Sequence, residues 1–151
     1  MSRKSTIAGV AVAVIVLVQF IPVTRVNPPV EEEIVAPAEV QRVLERSCYD
    51  CHSFESRWPW YARVAPASWY VTRHVNEARE HMNFSTWNRY DAEKRADHIE
   101  EIGEEVGEGK MPLKSYLLLH RGARLSEEER ATIRRWVEAY SPNGSPPDTS
   151  P

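Results

Sequence analysis

Three observations predict an all-α protein. Apolar residues recur at helical spacing in four stretches between residues 37 and 140. No stretch alternates apolar and polar residues with period two for long enough to make a strand. Seven of the eleven prolines (Pro22, Pro28, Pro29, Pro142, Pro146, Pro147 and Pro151) lie near the two ends, so the middle is free to be helical.

Taken in order, residues 1–25 begin with Arg3 and Lys4 and continue apolar from Ile7 to Val23, interrupted by Gln19 and closed by Pro22. This predicts one N-terminal transmembrane helix, a signal anchor held in a membrane by residues 7–23. No small-residue pattern for signal cleavage follows it. Residues 26–35, with Pro28-Pro29 and Glu31-Glu32-Glu33, read as an extended, solvated linker. The folded domain is expected over 36–140, and 141–151 read as a disordered Pro/Ser/Gly tail.

Within 36–140 the first helix is expected from about Pro37 to Cys51, with Val40, Val43, Leu44 and Ser47 on one side. The second runs from about Ser68 to Met82 on the stripe Val71, Val75, Ala78, Met82. Asp91 is suited to cap the third, which carries Ala92, Ala96, Ile99, Ile102 and Val106. Ser126 and Glu129 make a capping box for the fourth, whose buried face is Ile133, Trp136, Val137 and Tyr140. Long loops are left at 53–67 and 107–125.

A net charge of -3 with no basic block argues against nucleic acid as a partner. Two cysteines exclude a multi-disulfide scaffold and a four-cysteine metal site. Those two fall in Cys48-Tyr49-Asp50-Cys51-His52, a C-x-x-C-H run, the attachment signature of a c-type haem. Each thiol adds across one vinyl group, and a helical turn puts both sulfurs along one edge of the porphyrin. His52 then offers its imidazole to the iron. A redox dithiol would need a βαβ context that is missing here.

For the sixth iron ligand the best candidate is Met111, in a loop shaped by Gly109 and Pro112. Met82 reads as core, His74 as a partly buried, satisfied histidine, and His81 and His98 as exposed. His120 is the best histidine alternative. Arg57, Trp58, Trp60 and Tyr61 follow the haem motif closely, so they are candidates to bind the haem by walling the pocket or donating to its propionates, with Arg63 a further propionate donor. Asp97, Glu100, Glu101, Glu104, Glu105 and Glu108 share one helix face over 97–108, which could dock a basic redox partner.

Cys48-Tyr-Asp-Cys-His, Arg57-Trp-Pro-Trp-Tyr61, Ala65-Pro-Ala-Ser-Trp69, Asn83-Phe-Ser-Thr-Trp87 and Gly109-Lys-Met-Pro112 together resemble the bacterial haem-binding domain proteins, which are small membrane-anchored c-type cytochrome-like proteins. The resemblance covers about residues 36–140. It implies a cytochrome c-like helical domain around one covalent haem c, with His52 and, by position, Met111 binding the iron. The chain is then expected to be a bacterial inner-membrane, single-pass protein with its haem domain in the periplasm, moving one electron at a time to an unidentified redox protein and catalysing no reaction. The alternative is a haem-based sensor or small-gas binder with a weak or displaceable distal ligand.

Overall fold

The computed structural model describes residues 3–140, and the expected tail at 141–151 lies outside them. The described residues form helices α1 (Arg3–Val18), α2 (Ala38–Ser47), α3 (Tyr49–His52), α4 (Ala67–His81), α5 (Ala92–Gly107), α6 (Lys114–Leu117) and α7 (Glu127–Ala139), with short 3₁₀ turns between several of them. One isolated parallel bridge, Glu32 to Thr86, is the sole β pairing among them. The all-α expectation holds; the transmembrane helix does not.

Helix α1 has 16 residues. It spans about 24 Å at 1.5 Å per residue, against a hydrocarbon core of about 30 Å. Its first turn holds Arg3 and Lys4, and the chain leaves it at Gln19. The Gln19 side chain donates to the Ile15 carbonyl (2.9 Å) and accepts from the Ala65 N–H (2.9 Å). Pro22, three residues further on, cannot continue a helix. No helix among the described residues is long and apolar enough to cross a membrane. The expected anchor at 7–23, and with it the single-pass inner-membrane placement and periplasmic domain, is therefore overturned.

The expected linker also departs from its reading. Residues 26–35 lie along the domain instead of extending into solvent. Glu31 N–H donates to Ser85 O (2.9 Å), Ile34 N–H to Phe84 O (3.0 Å) and Trp87 N–H to Glu32 O (3.0 Å). Ile34 is 2% exposed. Arg79 of α4 locks the start of this segment: its guanidinium donates to Val26 O, Asn27 Oδ1, Ser56 Oγ and Ser53 O, all at 2.8–2.9 Å. It also lies over the rings of Phe54 and Trp58.

Helices α2, α5 and α7 enclose the core of Leu44, Phe84, Trp87, Ile99, Ile133 and Trp136. Gly103 sets the α5–α7 approach, because a Cβ there would stand 3.1 Å from Val137 Cγ1. Asp91 caps α5 by accepting from Lys94 N–H (2.8 Å), and the Ser126–Glu129 capping box is formed. Arg46 of α2 reaches Glu129 at 2.7 Å, and this ion pair with the cap holds the Glu129 carboxyl at about 2. The first helix is shorter than expected, for it breaks at Cys48, where φ is -123°. The backbone re-enters helix for one turn, which is α3.

Arg79→Lys removes most of a four-bond, half-buried clasp. We expect a loss of about 3 kcal/mol in urea unfolding, since bonds from a charged donor each contribute about 1.5–3 kcal/mol before partial compensation. Limited proteolysis within residues 26–33 should accelerate in the same variant.

Candidate functional site

The break at Cys48 decides where the motif points. Cys51 N–H (3.1 Å) and His52 N–H (2.9 Å) both donate to the Cys48 carbonyl, so the five residues wind into a single turn. Cys48, Cys51 and His52 then line one cavity of about 290 Å³ together with Met111. The intervening residues face elsewhere. Tyr49 is buried against Phe84, while Asp50 accepts from Arg57 Nε (3.0 Å) and from Tyr116 Oη (2.7 Å).

Nδ1 of His52 lies 3.1 Å from the Met82 carbonyl. A carbonyl can only accept, so Nδ1 carries the proton and Nε2 holds a free lone pair. Burial also pushes the His52 pKa down, which keeps the ring neutral. Phe84 stacks on the imidazole at 5.7 Å, and its N–H donates to His52 O (2.7 Å). Burial raises Cys48 to about 12 and Cys51 to about 11, so both stay thiols near neutral pH. A dithiol catalyst needs the opposite shift.

Met111 is brought to the cavity by the end of α5. Gly109, at φ +70°, donates to Val106 O, and Lys110 N–H donates to Glu105 O at 3.0 Å, a Schellman ending. Met111 N–H shares the Glu105 carbonyl at 3.0 Å, which ties the loop to the last turn.

The other expected residues divide. Arg57, Trp58 and Tyr61 line an adjoining cavity that shares Cys51, His74, Leu113 and Tyr116 with the first. Their donors already have partners: Arg57 on Asp50, Trp58 Nε1 on Asn27 Oδ1, Tyr61 Oη beside His120. Trp60 lines neither cavity and is 77% exposed. Met82 is buried in the core and also lines the first cavity. His120 lines only the adjoining cavity, stacked on Tyr116 at 4.0 Å. His74 reaches both cavities, and its Nδ1–H donates to Tyr70 O (2.8 Å), leaving Nε2 free. His81 is engaged by Glu101 at 2.5 Å.

His98, expected to be exposed, is fully buried. It stands one turn before Ile102 on the inward stripe, with Tyr90 edge-on at 4.7 Å. Its Nδ1 lies 3.5 Å from Glu101. Phe84, Arg79 and Glu101 also shape the site; Phe84 lies in the Asn83–Trp87 motif and Glu101 on the acidic face, but neither pattern by itself marks a site residue, and no capping or stripe pattern marks Arg79.

A sequence profile described as Haem-binding domain matches residues 13–139. The chain belongs to this haem-binding domain family. No curated protein and no solved structure matches it. The family match begins inside α1 and takes in residues 26–35, in keeping with their packing on the domain. The haem of such a domain fits the donor set around one cavity: two thiols, the His52 imidazole with its Nε2 free, and the thioethers of Met111 and Met82, with His74 and His81 also in the wall.

Burial depresses the His98 pKa, with Lys94 adding to the effect. The folded protein therefore holds His98 neutral, and the unfolded chain binds the proton more readily. Stability should fall as pH drops through about 6.5, with a slope of at most about 1.4 kcal/mol per pH unit from this group. Thermal melts of wild type and His98→Phe between about pH 7.5 and pH 5 check this; the variant should show the flatter profile.

Proposed function

We propose that this haem-binding domain is a monohaem c-type electron carrier, with His52 and Met111 as the two iron ligands. The observation that supports it best is the His52 ring, fixed by Met82 O with Nε2 free in a cavity that both thiols and Met111 share. Each thiol adds its sulfur and its hydrogen across one vinyl double bond, which consumes no oxidant. The bound haem supplies a one-electron couple. The chain's own part is to fix the ligands: Met82 O orients His52 and raises its basicity, Phe84 walls its ring, and Glu105 O holds the Met111 loop.

The test uses purified holoprotein. Haem should stay with the chain through acid denaturation and organic extraction, and Cys48→Ala/Cys51→Ala should lose it. Met111→Ala should abolish the weak near-infrared band of thioether-ligated ferric haem, lower the potential and admit carbon monoxide. Should Met111→Ala keep the wild-type near-infrared band, the thioether is that of Met82, which lines the same cavity; should wild type lack the band, the thioether assignment fails, and His74, with its free Nε2 there, is next to be replaced. Wild-type ferrous protein that binds carbon monoxide freely would favour the small-gas sensor.

A further inference from the structure

The two joined cavities end in opposite charge. One end has Glu101 and Glu105 in its wall. The other is lined by Asp50 and Cys51 of the motif turn and by the segments 56–76 and 109–125; neither segment contains an Asp or Glu, and Asp50 is bound by Arg57 and Tyr116. Their cations outnumber what nearby carboxylates neutralise. Arg57 is paired with Asp50, Arg73 with Glu77, and Lys110 with Glu105 and Glu108. Arg63, Lys114, Arg121 and Arg124 are exposed and make no ion pair among the described residues.

The two segments meet at the surface. Tyr70 Oη donates to Ser115 Oγ (3.0 Å), and Tyr61 Oη lies 3.4 Å from His120 Nδ1. Tyr70 and Leu119 line the cavity and are themselves exposed, so the cavity opens through this patch. Leu119 (67% exposed) stands at the opening, and Leu118 (75%) and Trp60 (77%), the chain neighbours of lining residues Leu119 and Tyr61, are exposed as well. Apolar side chains of this size, gathered in one place and edged by unpaired cations, mark an interaction surface.

We infer that this rim is where the electron-exchange partner docks, and that the partner is a protein presenting carboxylates around an apolar centre. The inference rests on the electron-carrier reading. Uncompensated cations attract carboxylates over about a Debye length and speed encounter, while the apolar centre excludes water at contact. The acidic stripe of α5 lies at the cavity end that holds Glu101 and Glu105, where it repels like-charged molecules.

Stopped-flow oxidation of the full-length ferrous holoprotein by hexacyanoferrate(III), an anion, and by tris(phenanthroline)cobalt(III), a cation, tests this. The anion should react faster at about 0.01 M salt and slow by about tenfold at about 0.5 M, although the chain's net charge is -3. Lys114→Glu/Arg121→Glu should remove that advantage, and Glu100→Gln/Glu104→Gln should leave it. By calorimetry, poly-L-glutamate should bind wild type in low salt and should not bind the Lys114→Glu/Arg121→Glu variant. An anion that is slower at low salt would overturn the inference, because the acidic end would then govern access. Retention on phosphatidylglycerol vesicles, lost in the same double variant, without poly-L-glutamate binding would also overturn it and assign the rim to lipid. Haem that neither reagent oxidises would instead sink the electron-carrier reading.

Discussion

One hydrogen bond, from His52 Nδ1 to the Met82 carbonyl, sets the geometry on which the site depends. It joins the motif turn to the end of α4, thirty residues later. It settles the tautomer, turns Nε2 into the cavity and removes the ring's freedom to rotate. The elements around it keep that carbonyl in place: Met82 N–H is held by Ala78 O, Phe84 N–H by His52 O, and Asn83 N–H by Tyr90 Oη. The strap 31–34 then pairs with residues 84–87 from outside.

The same logic explains the placing of charge. Asp50 is carried on the motif turn, where its charge would face the thiols, but Arg57 and Tyr116 both bind it. Tyr116 is held protonated, by burial and by that carboxylate. Arg79 is half-buried and gives its hydrogen bonds to neutral oxygens, so its charge is spread over the junction of α4, the motif turn and the strap.

Helices α4, α5 and α7 were legible because a regular apolar stripe and, for two of them, a capping side chain act over a few residues. The C-x-x-C-H run was legible as a single turn because its spacing acts over five residues. What could not be read depends on tertiary partners. The break at Cys48 has no Gly or Pro to announce it. Residues 26–35 have the composition of a tether, and Ile34 alone gives them something to bury. His98 sits among charged neighbours in sequence, yet its i+4 partner Ile102 was the sign that it turns inward. The run Ile7–Val23 is apolar enough for a membrane, but the backbone leaves helix at Val18.

The attachment of the Met111 loop to α5 reaches beyond the loop. Glu105 O holds Lys110 and Met111, Arg130 of α7 donates to Val106 O, and Gly103 lets Val137 close on the same helix. The side of the cavity facing the motif turn is thus carried by the α5–α7 pair as one body. On the electron-carrier reading proposed above, a redox centre ligated from such a frame would have little room to change bond lengths or recruit water when its charge changes. Reorganisation would then be confined to a few ligand atoms, which favours fast exchange in both directions at small driving force.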